Sequence, residues 1–186
     1  MKFGIRRQLM SGFWLGLAVA ALAITGRAQE KPVALVVPPV GVCVDGAEPA
    51  NLFYSLADQA LAAMRQRAEG LKIKGAAVLA YVPGTNTTSW ISKMVIVGQM
   101  TSHSAATNDP GSNLLGIAYA KAAEMAETLK PSGSKVRPPM KGELGWQGGW
   151  IEPCKSGWLI AAFSGGRSED DVTVSKAGLA VLVEGM

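Results

Sequence analysis

Gly75-Ala-Ala-Val-Leu-Ala-Tyr-Val82, then Pro83-Gly84-Thr85-Asn86, then Trp90-Ile-Ser-Lys-Met-Val-Ile-Val97: the fold turns on this stretch. The first segment is short and almost wholly apolar, bounded by Gly75 on one side and Pro83-Gly84 on the other, which predicts a buried strand. Pro83 to Asn86 is turn chemistry. Trp90 to Val97 is rich in β-branched and aromatic residues and pairs back across that turn, giving a β-hairpin.

Working outward toward the N-terminus, Ala50 to Glu69 carries Phe53, Leu56, Ala57, Ala60, Leu61 and Met64 at spacings of three and four. That is one apolar stripe of a helix, with Pro49 suited to its first turn and Gly70 to its end. Toward the C-terminus, Gly98 to Gly111 is polar. Ser112 or Asp109 is then the expected cap of a helix running from Leu114 to Leu129, ended by Pro131-Ser-Gly. Ser132 to Gly142 reads as a surface loop. Two further strands are expected, Leu144 to Ile151 and Trp158 to Phe163, joined by a turn over Glu152 to Gly157. Ser164-Gly165-Gly166 breaks the second strand. Ser168 with Asp171 looks like a capping box for a last helix over Val172 to Val183. The order α-β-β-α-β-β-α, with strands in antiparallel pairs, predicts an α+β domain with one antiparallel sheet flanked by helices.

The chain has 186 residues and a formal charge of +4, from 18 Lys+Arg against 14 Asp+Glu. Lys2, Arg6, Arg7 and Arg27 all precede residue 28, where no acidic residue occurs, so 14 basic and 14 acidic groups remain beyond it. Residues 1–28 read as an export signal: a basic start, an apolar run from Leu9 to Ile24, and Gly26-Arg27-Ala28 ahead of a cleavage point. The apolar run is ~16 residues, short of the ~20 of a spanning helix, so no stable membrane anchor is expected. Arg6-Arg7 fits a twin-arginine signal as well as an ordinary one. The expected location is periplasmic or secreted. Residues 29–48 form an extended, Pro- and Val-rich lead-in, and 49–186 a single domain large enough to bury its own core. The balanced charge beyond the signal argues against nucleic acid as a partner. Cys43 and Cys154 form either a disulfide suited to an oxidising compartment or two free thiols. Asn86-Thr87-Thr88 matches a glycosylation acceptor by chance, in a turn.

The last third carries a recognisable order. Ser164-Gly165, Asp171 seven residues after the serine, and Ala177-Gly178 resemble the closing pattern of the HbpS-like (GlcG/HbpS) family. Lys121-Ala122 is similar to that family's Lys-Ala helix, Gly148-Gly149 to its Gly-Gly turn, and Ala76 to Val82 to its first apolar strand. The resemblance covers Leu52 to Leu182. It implies a profilin-like layout with a five-stranded antiparallel sheet, homo-oligomers, and in several members the binding or breakdown of haem or a related tetrapyrrole. Two positions depart from the pattern: Glu124 stands where relatives often have Thr, and Ile151 where they often have Pro.

The residues themselves supply the candidate sites. His103 is the single histidine and the candidate metal ligand, because a neutral imidazole is a common axial donor to haem iron. Met94, Met100, Met125, Met140 and Tyr119 are weaker donors, the methionines being suited to core filling. Lys121 and Glu124, three apart, are expected as an ion pair on one helix face, either at a pocket wall facing a propionate or other acidic group or as a solvated surface pair. Trp146 and Trp150, around Gly148 and Gly149, are expected either to stack on a flat macrocycle or to pack in the core. Ser164 lacks the Gly-x-Ser-x-Gly setting of a nucleophile, since Ala162 replaces the first glycine, and its expected role is conformational. Two functions follow as expectations. One is an exported small-molecule-binding protein with haem or another apolar ligand, without catalysis of its own beyond weak haem breakdown. The other is an oligomeric envelope interaction module or sensor partner without ligand chemistry.

Overall fold

The computed structural model describes residues 47–103 and 108–186, so the export signal, the lead-in up to residue 46 and Cys43 lie outside the described residues, and the last two residues of the expected lead-in, Ala47 and Glu48, are already helical. Helix α1 spans Ala47–Gly70, and the predicted hairpin follows as β1, Gly75–Pro83, and β2, Ile91–Val97. A two-residue ribbon, β3 (Thr101–Ser102) with β4 (Ser112–Asn113), leads into α2, Leu114–Thr128. Strands β5 (Gly149–Cys154) and β6 (Gly157–Ser164) and helix α3 (Ser168–Gly185) complete the α+β domain.

All pairings in the main sheet are antiparallel, in the order β2-β1-β6-β5. Among the described residues the main sheet has four strands where five were expected, and β3 and β4 form a separate two-stranded ribbon. The expected strand from Leu144 begins only at Gly149: Gly145 and Gly148 take φ values of 62° and 141°, outside the strand range, and of the ladder Gly148 keeps only its carbonyl's bond from the Phe163 N–H of β6. At its other end the strand runs on through Glu152 and Pro153 to Cys154, leaving Lys155-Ser156 as the connection to β6. Pro153 is tolerated because β5 is an edge strand and needs no outward donor.

β1 and β6 are central, and both their faces are buried, which is why β1 reads as a continuous apolar run instead of an alternating one. Ala77, Leu79 and Tyr81, with Leu159, Ala161 and Phe163, pack under Phe53, Ala57, Ala60 and Met64 of α1 and Val174, Leu179 and Leu182 of α3. Val78, Ala80 and Val82, with Ile160 and Ala162, pack under Ala118, Ala122 and Met125 of α2. The Ala177-Gly178 pair serves the first layer: a Cβ on Gly178 would fall 2.4 Å from Met64 Cγ, so glycine lets α3 lie close against α1.

The helix starts differ from expectation. Asn113, not Ser112 or Asp109, caps α2 by accepting from the Gly116 N–H at 2.9 Å, while Asp109 accepts from the Gly111 N–H in the preceding turn. α2 ends at Leu129 in the left-handed conformation, one residue before the position that Pro131 would disfavour. At α3 the flanking residue is Arg167, without a side-chain cap, so Ser168 is already helical and no capping box forms. Among the described residues no helix is long and apolar enough to cross a membrane.

Candidate functional site

The residues that carry the family resemblance lie on separate elements and meet at the C-terminal end of β6. Lys121 projects from α2 and donates to the Phe163 carbonyl at 2.8 Å and to Asp171 Oδ2 on α3 at 2.9 Å. Both charged side chains are 4% exposed. The other carboxylate oxygen, Asp171 Oδ1, accepts from the Gly166 N–H at 2.8 Å, tying the strand exit to the helix. Burial drives the Lys121 ammonium below the ordinary lysine value and the Asp171 carboxyl above the ordinary aspartate value. Their mutual attraction opposes both shifts. The pair joins α2, β6 and α3 through one buried contact, and losing either partner would leave an uncompensated charge.

Gly148 makes this contact fit. Its φ of 141° is open to glycine, and a Cβ there would fall 2.2 Å from Lys121 Nζ and 3.0 Å from Asp171 Cβ. Its carbonyl accepts from the Phe163 N–H at 3.0 Å and from the buried Ser175 hydroxyl at 2.7 Å. Gly149 plays the same spatial part against α2: a Cβ would meet Met125 Cε at 2.3 Å, and its N–H donates to Ser132 Oγ at 2.9 Å. The two glycines thus serve close packing around the ion pair.

A polar cavity of about 210 Å³ opens over the pair, lined among others by Ser102, Ser112, Lys121, Trp146, Ser164 and Asp171. Its wall comes from the β3–β4 ribbon, α2, the segment before β5, and the turn into α3. Trp146 is 51% exposed and stands in this wall. His103 follows the lining residue Ser102, is exposed, and lies near Gly111 in the same ribbon.

Other expected site residues go elsewhere. Lys121 and Glu124 do not pair. Helical spacing puts both on the buried side of α2, but Lys121 turns to Asp171 while Glu124 Oε1 accepts from the Gly133 N–H at 2.8 Å, fixing the loop after α2. Because its ammonium is enclosed by protein acceptors, Lys121 shapes the cavity floor and does not stand free to meet an acidic ligand. Trp150 shares no face with Trp146. It pairs with Ala161 on the α1/α3 side of the sheet, its indole N–H donates to Glu152 at 2.9 Å, and Lys176 lies 3.6 Å over its ring. The stacking pair is therefore absent, and only Trp146 reaches the cavity.

Asp171, expected at a helix start and as part of the closing pattern but not as a ligand-site residue, has its real partner 50 residues away. The one signal that could have found it was its place in the ordered set Lys121, Gly148, Ser164, Asp171, whose members converge here.

A tetrapyrrole can be weighed against these residues. The cavity is smaller than the ~300–1,000 Å³ of pockets that enclose drug-sized ligands. Among the described residues no group of three or more His, Cys, Asp or Glu gathers to hold a bare metal ion. Trp146 offers an exposed indole in the cavity wall, while the exposed His103, next to the lining residue Ser102, approaches Thr101 Oγ1 with its Nε2 at 3.4 Å and is not itself a lining residue. A macrocycle would have to lie across the mouth of the cavity, because the interior is too small to enclose it.

Comparison with protein-family models and with curated proteins finds no match for this chain.

Proposed function

We propose that this chain is an exported small-molecule-binding protein of the HbpS-like type, with a profilin-like domain that holds haem or a related tetrapyrrole across the mouth of the Lys121–Asp171 cavity. The observation that carries the reading is convergence. Lys121, Gly148, Ser164-Gly165 and Asp171, far apart in the chain, build one buried contact and the cavity above it. In this reading Lys121 and Asp171 are positioning residues that keep the wall rigid, His103 donates to the iron, and Trp146 stacks on the ring. Any redox chemistry would come from the bound iron. Delivery outside the cytoplasm rests on residues 1–28, and self-association on the family resemblance.

Titrating the purified mature protein with hemin tests the reading. The expected result is a saturable Soret shift at micromolar protein that is lost in His103→Ala and weakened in Trp146→Ala. No shift in the folded protein discards haem, and an unchanged shift in His103→Ala discards the assigned ligand. The second function, an interaction module without ligand chemistry, finds a specific footing in the exposed apolar residues Met94 and Met100 near the open edge of β2. Co-purification with a defined envelope partner, without any chromophore, would favour it.

A further inference from the structure

A second cleft lies at the opposite end of α2. It measures about 530 Å³ and shares no lining residue with the Lys121 cavity. One wall is the β1–β2 loop, Thr85 to Trp90, and the other is Ala123, Ala126, Glu127 and Leu129 from α2 and its end. Thr87 Oγ1 donates to the Ala126 carbonyl at 2.6 Å, pinning the loop over the helix so that the cleft is formed before any ligand arrives. This size falls within the range of small-molecule sites.

The chemistry of the lining selects a ligand class. Trp90, whose ring leans on Tyr119 at 6.5 Å between centroids, gives a flat apolar surface beside Ala123, Ala126 and Leu129. The same loop brings to the lining the hydroxyl-bearing Thr85, Thr88 and Ser89 and the amide-bearing Asn86, groups that both donate and accept. Among the described residues no Lys, Arg or His lines the cleft, and the one carboxylate that does, Glu127, is held by Arg137 at 2.7 Å. An anion would meet the Glu127 carboxylate with no free cation among the described lining residues to bind it, since Arg137 is held by Glu127 and Glu143, and a cation would have to displace Arg137. A plain hydrocarbon would strip water from the hydroxyls without replacing its hydrogen bonds, which loses affinity. We infer that the cleft binds a neutral, ring-shaped polyol, such as a sugar unit, with its C–H face on Trp90 and its hydroxyls toward Thr85 to Ser89.

The test uses the full mature domain, ¹⁵N-labelled, titrated separately with glucose, N-acetylglucosamine, maltose and cellobiose, and with glucuronate and indole as charged and apolar counterparts. At least one neutral sugar is expected to shift amide signals confined to Thr85–Trp90 and Ala123–Leu129, with glucuronate weaker. Ala123→Phe, which fills the cleft from an exposed position, should abolish those shifts while the rest of the spectrum reports an intact fold. Trp90→Ala should weaken binding about tenfold. The inference is overturned if none of the four sugars shifts the cleft signals, if glucuronate or indole binds better than every neutral sugar, or if Ala123→Phe binds unchanged. Because His103 and Trp146 take no part, the result is independent of the hemin titration.

Discussion

Under α1 and α3 the sheet presents Ala77, Leu79, Tyr81, Leu159, Ala161 and Phe163, and the helices answer with Phe53, Met64, Val174 and Leu182. Under α2 it presents Val78, Ala80, Ile160 and Ala162, but the covering helix also carries Lys121 and Glu124 on its buried side. The first layer is an apolar core that needs only volume and shape. The second combines small apolar residues with a polar network whose members depend on one another, and both candidate sites border its helix. Two helices cover an apolar layer, while the third borders both cavities.

The sharpest way to break that division is to remove one charge from the network. Lys121→Ala strands the Asp171 carboxylate among α3, β6 and Gly166 and should cost about 3–5 kcal/mol in urea unfolding. Lys121→Met with Asp171→Leu removes both charges and should recover much of that loss, because a buried pair replaced by apolar residues of similar volume is often close to neutral. A double variant as unstable as the single one would show that the pair is not the coupled unit described here.

Gly148→Ala comes next. It forces a Cβ toward Lys121 Nζ at a positive φ, and about 1–3 kcal/mol of destabilisation is expected from the backbone conformation alone. Thermal unfolding measures it, and an unchanged midpoint would mean that the Lys121 contact is looser than the geometry indicates.

The smallest effect lies on the surface. Arg137 forks onto both oxygens of Glu143, at 2.7 and 2.8 Å, and holds its carboxyl at about 2. A depressed carboxyl pKa adds stability that is fully present above the ordinary glutamate value of 4.5 and is lost as pH falls toward 2. Glu143→Gln should therefore cost about 1 kcal/mol or less at neutral pH and progressively less as the pH falls through about 2. A loss equal at both pH values would contradict the ion-pair account.

What the sequence made legible follows the same division. The strand Gly75 to Val82 and the stripe of α1 were readable because burial leaves a periodic or continuous apolar record within a dozen neighbouring residues. The ends of β5 were not. Glycines with positive φ delay its start to Gly149, and an edge position admits Pro153, and both depend on where the strand sits in the sheet. Helix caps shifted by a residue or two for the same kind of local reason, as Asn113 shows. The site was legible as an ordered set of residue types and opaque as a set of contacts. Spacing on one helix suggested Lys121 with Glu124, whereas tertiary packing turned Lys121 to Asp171, 50 residues on. Trp146 and Trp150 were likewise separated by the pleat and by Gly148, which no count of four could foresee.

The most direct test of the central claim, that ligand binds at the mouth of the Lys121–Asp171 cavity, is paramagnetic broadening of ¹⁵N amide signals on adding hemin to the mature domain. The account predicts loss of signal at Ser102, His103, Ser112, Trp146 and Gln147, with Phe53 to Met64 of α1 unaffected. Broadening centred on Thr85 to Trp90 or on Trp150 and Lys176, or no broadening at all, would contradict it.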